Sequence, residues 1–425
     1  VIDLLDCYLY ENLVKQGGYL DEVHFIEHTR SQDDIDWLHN LVNATEGYKS
    51  FEVGPGCRDD PDRFDCRYER IWERFATDDD IIYIKIDDDM VRMALAPSSE
   101  TVANMSAQVY MHEDTIPRLV HARINYAQPY AISANLINSP ITAWQHYHLG
   151  AIRPYLPEPA PTPRKHGVKP TWRASELPTH PHDAQYQNIA LGPIYTNDLW
   201  NSAIHDEEMF NKAFEEVPFP GHRWLPLTQN TTSLLYTPMS RLGVDPWFMG
   251  VHHWSTAAQQ HYSLLQNIEE DQLHRYHMAS PAGDGLYNTQ YIRFNVNFMA
   301  IWGKDVVLGA GVQRAHGAVI SNLRDDERNL TADIPLALGR PFMIDVQALA
   351  SHLHFGPQTP QVQMTDLMDR YRAYANEKVC PKDRQKKVPW QPDGLGVPEG
   401  SEAPGWWQCP WIGGREDEEE GEGEE

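Results

Sequence analysis

The stretch Ile81-Ile82-Tyr83-Ile84-Lys85-Ile86-Asp87-Asp88-Asp89-Met90 decides how the rest of the chain is read. Its first half is apolar and β-prone and runs without a turn residue into three aspartates, so the carboxylates stand at the C-terminal end of a strand. In open α/β sheets ligands bind at that edge. Carboxylates gathered there suit a hard divalent cation carrying a phosphorylated ligand. Asp87, Asp88 and Asp89 are therefore read as a metal-diphosphate site. The plainer reading of an acidic triplet is a solvated turn, and Asp78-Asp79-Asp80, with no strand in front of it, is read that way.

Upstream, Ile2 to Val14 carries Leu4, Leu5, Tyr8, Leu9 and Leu13 at helical spacing and stops at Gly17-Gly18. Asp21 to Ile26 then reads as a strand. Ser31 caps a helix through Val42, Lys49 to Val53 is the next strand, and Asp65 to Phe75 is helix-forming. Helices alternating with strands predict an α/β fold with a doubly wound, parallel sheet, the aspartates closing its third visible strand. Downstream, Asp114 to Tyr126 reads as a helix and Tyr130 to Ile137 as a strand. Residues 153–185 are rich in proline and read as a long loop, an acceptor-side lid in which Tyr155 and Trp172 stay out of water. Ser255 to Tyr276 is the longest helix, capped by Ser255 and serving packing, with Glu269, Glu270 and Asp271 on its solvated face. Tyr291 to Trp302 alternates as a strand does.

Composition bounds the function. With 425 residues, 41% of them hydrophobic, the chain can bury one large core or two smaller ones, and it has no apolar run long enough to span a membrane. A formal charge of −26 and the lack of a Lys/Arg cluster argue against nucleic acid or an anionic membrane as partner. Eight of the ten residues from Glu416 to Glu425 are acidic, the pattern of a disordered tail over 413–425. None of the five cysteines forms a Cys-x-x-Cys motif, so thiolate metal binding is not expected. The sequence-local pairings are Cys57–Cys66 and Cys380–Cys409. With sequons at Asn43, Asn230 and Asn329 they point to a secretory compartment, the Golgi lumen, with the cytoplasm as the alternative. An opening Val1 is compatible with a removed leader or anchor.

The order strand, helix, strand, helix, then "YIKIDDDM", resembles the nucleotide-binding half of GT-A glycosyltransferases. The segments "SANLINSP", "HYHLGAIRPYLPE", "TWRASELP", "DDERNLT" and "LGRPFMIDVQALASHLHF" are similar to a fungal group of glycosyltransferase-like proteins. The resemblance covers about residues 2 to 360. It implies a GT-A-like mixed sheet flanked by helices over 1–362; beyond that the sequence loses its pattern, and 363–412 reads as an extension packing on the domain. It implies a nucleoside-diphosphate sugar as donor, a hydroxyl acceptor, and Mn²⁺ or Mg²⁺ held by Asp87 and Asp89. It also implies a first strand ahead of Ile2, which is missing here. Inverting enzymes of this kind place a carboxylate base near Asp326 and Glu327, and several supply a histidine as third metal ligand where His352 and His354 stand. His180 and His182, like His146, His148, His252 and His253, read as loop or packed histidines. Two further readings compete: an Asp-x-Asp phosphohydrolase with Asp87 as nucleophile, and a non-catalytic relative that binds a glycan or partner.

Residues 91–108 interrupt the pattern. Joining Met90 to Val109 restores a continuous reading, and the 18 codons make 54 nucleotides, the size of a short intron. Val91 begins with GT in any codon, Gln108 can end in AG, and Ala103-Asn104 can be encoded as GCTAAC, a branch-point-like sequence. The segment is read as a translated intron, its sequon at Asn104 meaningless, and is expected as a protruding loop beside Asp89. A genuine active-site loop is the alternative.

Overall fold

The computed structural model describes residues 2–27, 31–53, 76, 78–87, 108–158, 171–180, 221–227, 234, 237–239, 253–315, 326–355 and 358–385. All belong to one compact unit made of residues 1–161 and 171–386. The expected helix 65–75, Asp88, Asp89, the insert up to residue 107, His182, His252, Cys57, Cys66, Cys409, Asn230 and the acidic tail lie outside the described residues.

The fold is α/β, a mixed sheet flanked by helices. Six strands form the main sheet in the order β3 (Ile82–Ile86), β9 (Phe298–Trp302), β5 (Ala131–Ile137), β10 (Phe342–His352), β4 (Gln108–Met111), with β8 (Leu286–Asn288) beside the start of β10. β5 and β10 are parallel, whereas β9 runs antiparallel to both β3 and β5. The sheet is therefore not the all-parallel one that helix-strand alternation predicted. Alternation reports neighbours along the chain, and β9 arrives between β3 and β5 from more than 150 residues downstream. β1 (Val23–Glu27) and β2 (Tyr48–Glu52) pair in parallel as a separate two-stranded sheet.

Every residue of β5 is buried, as befits a strand covered on both faces. Its polar members are satisfied: Ser133 Oγ donates to Phe298 O at 3.1 Å, and the Asn135 amide donates to Tyr276 O and Val346 O at 2.9 and 3.0 Å. Helix α1 (Ile2–Glu11) buries Leu4, Leu5, Tyr8 and Leu9, and α2 (Gln32–Ala44) starts at Ser31, whose hydroxyl accepts from Asp34 N. α3 (Thr115–Asn125) and α4 (Pro140–His148) flank β5 on the chain. α5 (Trp254–Glu269) is shorter than the sequence suggests; Asp271, at φ 55°, ends it before a 3₁₀ turn at Leu273–Tyr276. Its cap is the His253 side chain, accepting from Ser255 N, and residues 254–267 are buried on all sides. Glu269 and Glu270 are not merely solvated: they engage Ser175 and Arg153. α6 (Gly303–Ala315) follows β9, and α7 (Leu367–Lys378) buries Leu367, Tyr371 and Ala375 against the main core.

Five further expectations change. The proline-rich loop holds a strand, β6 (Tyr155–Pro157), paired with β7 (Trp224–Pro226) and braced by Glu158 with Arg223. Tyr155 and Trp172 are indeed buried, the indole donating to Glu377 at 2.9 Å. Of Tyr291 to Trp302 only the last five residues are strand. Cys380 pairs with Cys7 rather than Cys409, fastening α1 to the end of α7. Asn329 is 1% exposed, so its sequon is closed to a glycan in the folded chain. Gln108, assigned to the insert, is the buried first residue of β4. Among the described residues no helix is long and apolar enough to cross a membrane.

Candidate functional site

Strand directions gather the site. β3, β5 and β10 run the same way, so their C-terminal ends meet at one edge: Asp87, Asn138 and His352. The segment Arg293-Phe294-Asn295-Val296-Asn297, leading into β9, is laid along that edge and touches each predicted element in turn.

At its end Asn297 extends the β3 ladder, its carbonyl accepting from Asp87 N at 2.8 Å. The Asn297 amide faces two groups: Asp87 Oδ2 at 3.5 Å and His352 Nε2 at 3.3 Å. Because that nitrogen meets an N–H donor, and the His352 ring also bonds the Asn138 backbone, the ring proton is assigned to Nδ1 and the Nε2 lone pair accepts from the Asn297 amide. Burial, with His261 and Lys85 nearby, lowers the His352 pKa to about 3, so the ring is neutral at pH 7. Lys85, two residues before Asp87, forms an ion pair with its Oδ1 and donates to Val296 O at 3.2 Å.

A neutral imidazole nitrogen and a carboxylate oxygen form a donor set compatible with Mn²⁺. Of the four predicted ligands, the structure brings Asp87 and His352 to one amide. Asp89 lies outside the described residues. His354 is fully buried beyond the end of β10, its pKa lowered to about 3 by burial first and then by His352 and His261, so it sits among imidazoles. Among the described residues no three His, Cys, Asp or Glu side chains converge as a metal would need. The residues fit two positions of a coordination shell.

Behind these groups lies a buried polar frame. Asn138 adopts φ 60°, a left-handed conformation that asparagine tolerates better than most residues. Its amide donates to His352 O, Leu353 O and Gln358 Oε1 at 3.0–3.1 Å, and its backbone N–H donates to Gln260 Oε1. His261 Nε2 donates to Leu353 O at 2.7 Å while its Nδ1 faces Tyr371 and Ser351 hydroxyls. A bulge between β10 and β4 sets Gln108 opposite His352. Gln108 is 1% exposed, yet neither amide atom has a hydrogen-bond partner among the described residues.

At the strip's other end Arg293 pairs with Glu327 at 2.5 Å, and Phe294 N donates to Thr331 Oγ1 at 2.9 Å. The strip thus connects Glu327 to the Asp87 edge without bringing the two carboxylates together. Asp326 opens the same helical turn, and its side chain is not among the described atoms. His180 packs in its loop at 2% exposure, 3.2 Å from Pro157 O, and His146 bonds Asn135 at 2.9 Å, as packed histidines do.

Sequence reasoning missed Asn138, Asn295 and Asn297. The alternation in "NVN" was the one available signal for the last two, since it sets both asparagines on one side of an extended segment. Compared with known proteins, the chain matches no family model, no curated protein and no solved structure.

Proposed function

We propose that the chain is a metal-dependent glycosyltransferase moving a sugar from a nucleoside-diphosphate donor to a hydroxyl acceptor. What carries the reading is that Asp87 and His352, far apart in sequence, face one amide at the C-terminal edge of the sheet. When bound, a divalent cation would neutralise the charge developing on the leaving diphosphate. Asp87 and the neutral His352 would hold it, with Asp88 and Asp89 completing the acidic cluster, and Asn297 orients both described ligands. Lys85 adds a cation beside the same carboxylate. Glu327, with Asp326 as the other candidate, would take the acceptor proton. The Cys7–Cys380 disulfide supports an oxidising, lumenal working place.

Nucleoside-diphosphate release from a panel of nucleotide sugars with Mn²⁺ tests the reading. Turnover should need the metal and be lost in Asp87→Asn and His352→Ala; silence across the panel, or equal turnover in EDTA, rejects it. The Lys85–Asp87 ion pair favours a second reading, a non-catalytic glycan-binding relative, because the carboxylate is already neutralised. That reading expects saturable binding without release.

A further inference from the structure

We propose that the N-terminus of α4, together with the amide of Asn295, forms a phosphoryl-binding site beside the Asp87–His352 pair. Three observations converge. α4 starts at Pro140, two residues past Asn138, whose amide donates to His352 O, so the helix begins beside the edge on which Asp87 and His352 stand. Its N-cap Ser139 makes no side-chain cap, and no hydrogen bond takes up the N–H groups of Ile141 and Thr142 among the described residues. Open N–H groups at the positive end of a nine-residue helix favour an anion.

Asn295 is the independent pointer to a ligand. It is 8% exposed, its Nδ2 donates to Ser139 Oγ, and its Oδ1 has no hydrogen-bond partner among the described residues. A buried amide atom left unpaired costs about 1–3 kcal/mol, so it calls for an explanation. Ser139 supplies a hydroxyl that can donate as readily as it accepts. The Asn295 amide can therefore turn over, accept from Ser139 through Oδ1, and present Nδ2 alongside the two helix N–H groups. An arriving phosphoryl oxygen selects that arrangement, and the orphan atom is satisfied in the same step.

Position fits a diphosphate. Asn295 and Asn297 are two residues apart, a span of roughly 7 Å, so one phosphate can lie at Asn297 with Asp87 and His352 and the next at Asn295 with α4. The site deepens the transferase reading and rests on it only for what the diphosphate carries; the anion chemistry stands on α4 and Asn295 alone.

Calorimetry with inorganic pyrophosphate on the full chain in EDTA is the test. Wild type should bind, and Asn295→Asp should bind at least tenfold more weakly because a fixed carboxylate opposes the anion. Ser139→Asp should abolish binding while raising Tm, since its carboxylate caps Ile141 and Thr142 N–H groups; it keeps the test alive where Asn295→Asp fails to fold. No binding by wild type, or unchanged affinity in Ser139→Asp, overturns the proposal. Pyrophosphate binding in EDTA without any sugar release rejects the transferase and keeps this site. Metal-dependent release that survives Ser139→Asp unchanged does the reverse.

Discussion

β5 and β3 carry equally apolar sequences and meet opposite fates. All seven residues of β5 are buried, even Ser133 and Asn135, whereas none of the five in β3 is, although four are Ile or Tyr. β5 lies between β9 and β10; β3 pairs with β9 alone among the described strands. The His352 half of the site therefore stands on a strand paired with fully buried β5, and the Asp87 half at the end of a strand with no fully buried residue. Strength of local structure follows burial, so one proposed ligand is held in advance while the other sits on ground that can yield.

Acid should expose the difference most strongly. Burial lowers the pKa of His146, His352 and His354 to about 3 and of His261 to about 4, and all four surround β5 and β10. Unfolded chains protonate histidine near pH 6.5, so the stability these rings allow is complete above that pH and is lost as pH falls toward 3–4. Each ring withdraws up to about 1.4 kcal/mol per pH unit in that window. Urea melts from pH 7 to pH 5 should lose several kcal/mol; a flat profile would mean these histidines are not buried neutral.

Matched truncations come next. Ile132→Ala, at a fully buried position of β5, should cost about 3–4 kcal/mol, and Ile84→Ala in half-covered β3 about half of that. Equal losses by chemical denaturation would erase the contrast.

Deleting residues 91–108 should destabilise the fold. It leaves three residue steps between Asp87 and the place of Gln108, a reach of about 11 Å, whereas β3 and β4 stand four strand spacings, about 19 Å, apart in the sheet. A lower denaturation midpoint would mark the segment as a genuine crossover; an unchanged or raised midpoint, or a main transcript that lacks the 54 nucleotides, would restore the intron reading.

Smallest in stability is Asp87→Asn. The Lys85–Asp87 pair is mostly buried, and the amide that replaces the carboxylate still accepts from Lys85, so the change should cost about 1–2 kcal/mol. Mn²⁺-dependent nucleotide binding should nonetheless disappear. Retained binding would shift the site toward His352.

Legibility in the sequence follows the same contrast. The early units announced themselves because each carries its own periodicity and cap: Leu4 to Leu9, Ser31, and the run into Asp87 are local facts. His352 was legible as a residue at the end of a strand. Its meeting with Asp87 was not, because it depends on β9 entering between β3 and β5 and bringing Asn297 with it. Nothing in residues 81–90 encodes that entry. The Cys380 pairing failed for the same reason, since a nearby Cys409 was a better guess by distance along the chain than Cys7, 373 residues away.

That separation sets a clock. At about 5–20 residues per second of synthesis, Cys7 waits on the order of 20–75 s for Cys380 to be made. Throughout that interval Cys57 and Cys66 are the thiols within its reach. α1 must therefore be kept reduced, or rescued by exchange, until the last described helix exists, and the yield of correctly closed molecules becomes a matter of timing between translation and oxidation.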